Sequence, residues 1–361
     1  MPIILFILNP GSTSTKTALF RDQECLFEET VRHQPTELPT DSIMAQLQFR
    51  LAAVDDALNR SLTANGLTTA DLSAIVGRGG LLRGVAGGTY LVSQTMLNDL
   101  KIARYGEHAS NLGAFIAENL ALRFGLPAYI VDPPSVDEMA DVARYTGLPD
   151  FRRHSIFHAL NQKAVARIVA SELGKPYDQL NLIVAHLGGG ITVGAHQAGR
   201  VIDVNDALQE GPFSPERAGT LPTRQLADFC LDGQKDRKSI YRLLVGQGGL
   251  FAYTGSTDFR TIEDQSASRP DYQKLIEAMA YQIAKEIGAM AAVLAGRIDA
   301  IILTGGLAHS KLLTGLIADR VCAFATVKIH PGEDELAALA NGVIRVLEGR
   351  EHCLTYESLN L

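Results

Sequence analysis

IILFILNPGSTSTK, residues 3–16, decides the fold. Six apolar residues run into Asn9-Pro10 and then into a tip of Gly11, Ser12, Thr13, Ser14 and Thr15, ahead of Lys16. LIVAHLGGGIT, residues 182–192, repeats the plan, with Gly188-Gly189-Gly190 at the tip. Beyond Lys16 come Thr-Ala-Leu-Phe, the polar Arg21-Asp22-Gln23-Glu24 and Cys-Leu-Phe. Beyond Thr192 come Val-Gly-Ala-His, the polar Gln197-Ala198-Gly199-Arg200 and Val-Ile-Asp. Both read as strand, turn, strand, which makes each glycine-rich loop a hairpin tip. The commoner phosphate loop, G-x-x-x-x-G-K-[ST], opens a helix. Here Thr15 precedes Lys16, position 10 is Pro, and no helical period follows. A hairpin tip can still hold phosphate, because glycine lets successive N–H groups converge on an anion and hydroxyls add donors. One such loop would read as an ordinary tight turn. Two, one in each half, point to a duplicated scaffold facing a shared ligand.

The bulk properties bound the rest. At 361 residues the chain has room for two domains with substantial cores. Hydrophobic residues at 46% and charged residues at 20% suit a globular enzyme and exclude disorder. A net charge of −7, with no basic stripe, speaks against nucleic acid and against an anionic membrane surface. An anionic substrate must then be met by local cations. Cys25, Cys230, Cys322 and Cys353 show no metal spacing and read as reduced, mostly structural thiols of a cytoplasmic protein. The apolar start is too short for a signal peptide and lacks a basic flank. Lys285 and Glu286 interrupt the longest apolar helical stretch, near 278–296, so no membrane span is expected.

Strands and helices alternate along the first half. Residues 41–60 carry a helical pattern, Leu72–Val76 reads as a strand ending in Gly77-Arg78-Gly79-Gly80, and 108–124 as a helix closed by Gly125. Residues 128–131 read as a strand ending at Asp132-Pro133-Pro134, and 155–173 as a helix capped by Ser155. The second half adds a meander over 182–204 and an irregular stretch with Pro212, Pro215, Gly219 and Pro222. A long helix over about 271–296, a strand over 300–303 and a helix from near Glu335 to about Arg350 follow. The expected division is 1–150 and 151–336, the last helix, about 337–361, completing the first domain. Asn9, Arg78, Asp132, His186 and Thr304 all fall at the carboxyl ends of apolar strands, the edge where open α/β sheets bind ligands.

Several clusters carry chemistry, each beside a plainer reading. His158, inside Ile156-Phe157-His158-Ala159-Leu160, could be a core histidine, but a first helical turn already favours an anion. Arg217, in a Pro- and Gly-rich loop, could be a solvated arginine. With Arg78 it would form a clamp for a carboxylate or a phosphoryl group. Asp258-Phe259-Arg260 could be a plain helix cap, with Thr257 or Asp258 capping. Gly305-Gly306 allows close backbone approach, as a stacked purine needs. Glu333-Asp334-Glu335 could simply face a helix dipole, or could hold Mg²⁺.

Six segments in collinear order, NPGSTSTK (9–16), GRGG (77–80), FHALNQKA (157–164), AHLGGGITVG (185–194), LTGGLA (303–308) and PGEDEL (331–336), resemble the butyrate kinase branch of the acetate kinase family. That family lies in the sugar kinase/Hsp70/actin superfamily. The resemblance spans essentially the whole chain. It implies an α/β fold of two duplicated actin-like (ribonuclease H-like) domains with a nucleotide cleft, and reversible phosphoryl transfer from ATP to a short-chain carboxylate. Butanoate is the expected acceptor, with 2-methylpropanoate, acetate or propionate as alternatives. A non-catalytic ATP-binding module of the same fold is the remote alternative, and a sugar or glycerol kinase with Asp132 as base is a further one. By position, Asn9, Ser12, Ser14 and Lys16 would face phosphates and metal, and Arg78 and Arg217 would hold the carboxylate and the transferring phosphoryl. Asp132 would position these groups, His158 would contact the phosphoryl in flight, and His186 with Gly188, Gly189 and Gly190 would form the second phosphate loop. Asp258, Phe259, Arg260, Gly305 and Gly306 would touch adenosine, and His108 would lie near the acyl site. Glu335, then Glu333, with Asn9, would serve the metal. Acetate kinases carry Asn where this chain has Gly189. The implied cofactors are ATP/ADP and Mg²⁺, the partners a short-chain carboxylate and its acyl phosphate, and the assembly a homo-oligomer, dimer or higher.

Overall fold

β1 (Ile4–Pro10) is buried along almost its whole length, as the continuous apolar run of a central strand must be. In this computed structural model, which describes residues 2–357 apart from 35, 37, 40 and 41, it pairs antiparallel with β2 (Ser14–Arg21). β2 pairs antiparallel with β3 (Glu24–Arg32), an edge strand that is largely exposed. β4 (Ala74–Arg78) lies parallel to β1 on its other side, β6 (Ala128–Val131) lies parallel to β4, and β5 (Thr89–Leu91) closes the sheet antiparallel to β6. The order is β3-β2-β1-β4-β6-β5. Packed with it are α1 (Leu47–Ala64), α2 (Gln94–Lys101), α3 (Asn111–Phe124) and α11 (Glu335–Leu347).

A second sheet repeats the plan. β7 (Asn181–Leu187), β8 (Ile191–Gln197) and β9 (Arg200–Val204) form an antiparallel meander. β10 (Ala300–Gly305) lies parallel to β7, and β11 (Val327–Pro331) parallel to β10, giving β11-β10-β7-β8-β9. α4 (Ala159–Glu172) packs on β7 and β10, and α9 (Pro270–Val293) on β7 and β8. Between β9 and α9 lie α5 (Thr223–Leu231), α6 (Arg237–Leu244), α7 (Gly249–Thr254) and α8 (Phe259–Ser266), and α10 (Lys311–Val321) precedes β11.

The two sheets belong to separate units, Met1–Val136 with Asp334–Leu361, and Asp137–Glu333. The division falls at 136/137 and 333/334, where the sequence reading puts it at 150/151 and 336. The difference has a physical cause, because residues 137–153 are tied into the second unit. Ala140 donates its N–H to Ile202 O (2.8 Å), and Arg153 pairs with Asp203 (2.9 Å) and Glu210 (3.1 Å). α4 starts at Ala159 with His158 at its N-cap, so Ser155 is not the cap of this helix and His158 precedes the first turn. The four cysteines are free and exposed, which corrects their reading as structural thiols. Among the described residues no helix is long and apolar enough to cross a membrane.

Two close approaches set the geometry of unit one. A Cβ on Gly77 of β4 would overlap the carbonyl of Gly113 in α3, and one on Gly113 would overlap the carbonyl of Arg78. Backbone thus meets backbone where β4 ends. On the other face, a Cβ on Gly342 of α11 would meet Val131 Cγ1 of β6 at 2.5 Å. That seating carries Glu335, the first residue of α11.

Candidate active site

In unit one the first hairpin tip is held by a residue that the sequence reading passed over. Arg50 is fully buried in α1. Its NH1 donates to Gly11 O (2.8 Å) and Ser14 O (3.2 Å), its NH2 to Ser12 O (2.8 Å), and its Nε to Gln46 Oε1 (3.0 Å). One guanidinium thus gathers three carbonyls of the tip. Burial lowers the Arg50 pKa from its ordinary value, yet the group keeps its proton. The signal that could have found it is an arginine in an apolar stripe, four and eight residues before the buried Val54 and Leu58.

Beside this tip lies a pocket of ≈ 250 Å³ that brings together six of the singled-out residues: Asn9, Ser14, Lys16, Arg78, His108 and Glu335. Glu335 is its hub. Its Oε2 accepts from Asn9 Nδ2 (2.6 Å), and its Oε1 pairs with Arg78 NH1 (2.6 Å). Ser110, which also lines the pocket, donates its backbone N–H to His108 Nδ1 (3.2 Å). That bond leaves the His108 proton on Nε2. Ser12 does not line this pocket. It borders a depression of ≈ 480 Å³ with Leu38, Ile43 and Glu107, which shares His108.

Asp132 is also set apart from the pocket lining. It is buried and follows β6 with φ 39, a strained backbone for a residue with a Cβ. Its Oδ1 accepts from Gly88 N (2.7 Å) while its own N–H donates to Gly88 O (2.9 Å). What the geometry shows for Asp132 is a pin on the turn before β5.

In unit two a pocket of ≈ 640 Å³ is lined by Gly188, Gly189, Asp258, Phe259, Arg260, Gly306 and Glu333 among the singled-out residues. Glu216, Glu263 and His309, which no motif marks, line it too. Gly190, Gly305 and His186 do not; Gly305 lies against Leu187, where a Cβ would come 2.5 Å from the carbonyl oxygen. Asp258 caps α8, its Oδ2 accepting from Thr261 Oγ1 (2.6 Å) and its Oδ1 from Arg260 N (3.1 Å). The Thr261 hydroxyl is the first cause holding this carboxyl below its ordinary pKa. The space that a Cβ on Gly306 would enter is open.

The glycine loop is shaped by what stands next to it. A Cβ on Gly190 would overlap the Arg217 guanidinium, and one on Gly189 would come within 3.2 Å of Glu216 Oε1. Glu216 therefore takes the space that a side chain at 189 would need. Gly189 O accepts from Ser214 Oγ (2.5 Å), which ties the loop to the Arg217 segment. Among the described residues Arg217 NH1 has one long bond, to Ala207 O (3.4 Å), and its buried Nε has no hydrogen-bond partner. Burial pushes its pKa down from the ordinary value. A charged, poorly partnered guanidinium beside N–H-rich backbone suits a phosphoryl oxygen.

His158 and His186 are stacked, ring centroids 3.7 Å apart and planes 12° from parallel. His158 Nδ1 meets Thr192 Oγ1 (2.9 Å), His186 Nδ1 meets Asn161 Oδ1 (2.7 Å), and His186 Nε2 meets Glu333 Oε1 (3.0 Å). Thr304 pairs with His186 across β10 and β7, which puts both at one sheet edge.

Among the described residues no group of three or more His, Cys, Asp or Glu side chains gathers as a metal site. Mg²⁺ shared with phosphates needs fewer, one or two carboxylates and water. Glu335 with Asn9 in unit one fits that demand, and so does Glu333 in unit two.

Two α/β units built on one strand order, each with a glycine-bearing hairpin tip at the end of its first strand, define the actin-like fold class of acetate and propionate kinases. The chain belongs to the acetokinase family: residues 145–330 match that family. A curated relative from Listeria innocua serovar 6a, described as a probable butyrate kinase, is 51% identical over 347 residues, 95% of this chain and 97% of that protein. Porphyromonas gingivalis acetate kinase superposes with a TM-score of 0.77 at 19% identity, covering 96% of this chain and 100% of that one. A propionate kinase from Francisella tularensis superposes with a TM-score of 0.74 at 18% identity, covering 94% and 98%.

Proposed function

We propose that this chain reversibly transfers the terminal phosphoryl of ATP to the carboxylate of a short-chain fatty acid, butanoate first, giving butanoyl phosphate and ADP in the cytoplasm. The observation that carries the reading is Arg217, whose buried Nε, beside Gly190, has no partner among the described residues. A cation left short of acceptors in a buried site is costly unless an anion completes it. In this reading the unit-two pocket takes the nucleotide. Gly306 leaves room for a flat base, Asp258–Arg260 border the adenosine, and the Gly188–Gly190 loop meets the phosphates. The unit-one pocket takes the carboxylate, with Arg78 as its cation and His108 Nε2–H as a donor.

A carboxylate is already ionised, so the reaction needs no base. The task is to hold two anions in line and to stabilise the equatorial oxygens. In unit two Arg217, His158 and loop N–H groups supply donors and charge on the nucleotide side, and in unit one Arg78 supplies charge for the carboxylate. Mg²⁺, when bound, offsets phosphate charge; Glu335 with Asn9 would be its ligands on unit one, or Glu333 on unit two. A sugar- or glycerol-kinase reading needs a base, and Asp132, the one residue offered for that, is engaged by Gly88 away from the pocket lining. The butanoate preference rests on the 51% identical relative described as a probable butyrate kinase.

The test is an acyl-hydroxamate assay with Mg·ATP across C2 to C5 acids, 2-methylpropanoate included, with glycerol in parallel. The highest kcat/KM is expected for butanoate. A maximum at acetate would overturn the chain-length assignment, and glycerol phosphorylation without hydroxamate would overturn the acceptor class.

A further inference from the structure

A chain of hydrogen bonds in unit two runs from Tyr177 to His158, and the donor and acceptor chemistry of its members assigns a direction to each link. Gln162 of α4 places its side-chain amide against Thr192 O (3.1 Å) and Thr192 Oγ1 (2.9 Å). A carbonyl oxygen only accepts, so the NH₂ group must face Thr192 and Oε1 must face the other way. Oε1 meets His196 Nε2 at 3.0 Å, and that nitrogen must therefore carry a proton. His196 is fully buried, and desolvation, then Lys163 and Arg167, holds its pKa well below the ordinary imidazole range. A neutral ring with its proton on Nε2 leaves Nδ1 bare, to accept from the Tyr177 hydroxyl (2.7 Å). Thr192 Oγ1 accepts from Gln162. Among the described residues, the acceptor its own proton meets is His158 Nδ1, at 2.9 Å. Gly194 makes the arrangement possible, since a Cβ there would come 2.5 Å from Gln162 Oε1.

We infer that Gln162 and Thr192 are positioning residues that lock His158 as the Nε2–H tautomer, a fixed hydrogen-bond donor for the phosphoryl group in transit. The neighbouring ring is set the opposite way. Asn161 Nδ2 is spent on Gly332 O (3.5 Å), so Asn161 Oδ1 faces His186 and demands a proton on His186 Nδ1 (2.7 Å). Two stacked histidines thus carry opposite Nδ1 roles, one accepting and one donating. A donor is what a phosphoryl oxygen gaining charge needs, and a ring free to change tautomer would offer a lone pair to an anion part of the time. The catalytic consequence rests on the proposed phosphoryl transfer, while the tautomer itself does not.

The experiment is a long-range ¹H–¹⁵N correlation on the full chain labelled with ¹⁵N-histidine, with His158→Gln to assign the ring. A bare Nδ1 and a protonated Nε2 on His158 are expected in the wild type. Thr192→Val is expected to give mixed tautomers and a kcat lower on the order of tenfold, the size carried by partners that orient functional histidines, with KM for ATP unchanged. Thr192→Ser should restore both. A wild-type His158 with the proton on Nδ1, or an unchanged tautomer in Thr192→Val, would overturn the inference. Absence of acyl phosphate from the wild type with every acid would sink the proposed function and leave the tautomer measurement standing.

Discussion

Arg217 is where stability and the proposed chemistry pull in opposite directions. A buried Nε without a partner costs on the order of 1–3 kcal/mol, which an apolar side chain of similar length would not. Arg217→Met should therefore keep or raise Tm while lowering kcat by roughly 10²–10³-fold, the loss typical when one charge-stabilising donor is removed. Thermal melts and hydroxamate kinetics on one preparation check this, and a near-normal kcat would remove Arg217 from the reaction. Gly190→Ala probes the same contact from the other side. Its Cβ would overlap the guanidinium, and the guanidinium is the part able to move. The expected result is a kcat loss approaching that of Arg217→Met with little change in Tm. A large drop in Tm with unchanged kcat would assign Gly190 to loop folding instead.

At the scale of elements, the candidate site's side chains inherit their positions from backbone contacts. Arg78 ends β4 where Gly77 and Gly113 let α3 touch the strand. Gly113→Ala would force that contact apart, an overpacking worth about 1–3 kcal/mol. Unfolding by urea should show the loss, and kcat should fall because Arg78 leaves Glu335; a stability loss with unchanged kcat would make the contact purely structural. How far such elements can be read beforehand depends on what they bury. β1, β7 and β10 are apolar runs because both their faces are covered, so they were plain as strands, although β1 and β10 run on past the apolar residues, to Pro10 and Gly305, and take in Asn9 and Thr304. α3 was plain at its end, closed by Gly125 at φ 67, and starts at Asn111, three residues after the start read at 108. α5 and α6 bury no residue, so they carry no stripe to read, and the three-residue β5 is too short to show a period. Among site residues, those in loops and at strand ends stood out. Arg50, Glu216 and Glu263 did not, because their roles come from neighbours distant in sequence: Arg50 NH2 reaches Ser12 O across 38 positions, and Ser310 Oγ meets Glu263 Oε1 across 47.

For the molecule as a whole, duplication explains why one motif appears twice, since β3-β2-β1-β4-β6 and β9-β8-β7-β10-β11 share one order and one set of directions. It does not make the two copies equal in their buried polar groups. The second unit encloses His196, and stability should carry its signature. Above the ordinary imidazole value of 6.5 both the folded and the unfolded chain hold this ring neutral, and pH has no leverage through it. Below 6.5 the unfolded chain gains a proton that the fold refuses, so stability falls as pH falls, by up to about 1.4 kcal/mol per pH unit for one group. Asp203, Asp206 and Glu286 act with the opposite sign. Burial raises their pKa, so the fold keeps their protons where the unfolded chain has lost them, and each favours the fold as pH falls towards its own ordinary value. Subtracting a variant separates the two. Melting curves of wild type and His196→Gln from pH 8 to pH 5 should show the wild type ahead at pH 8, with a lead that shrinks once pH drops below 6.5. Parallel curves throughout would mean that His196 takes up its proton in the fold as readily as in the unfolded chain, and so is not enclosed.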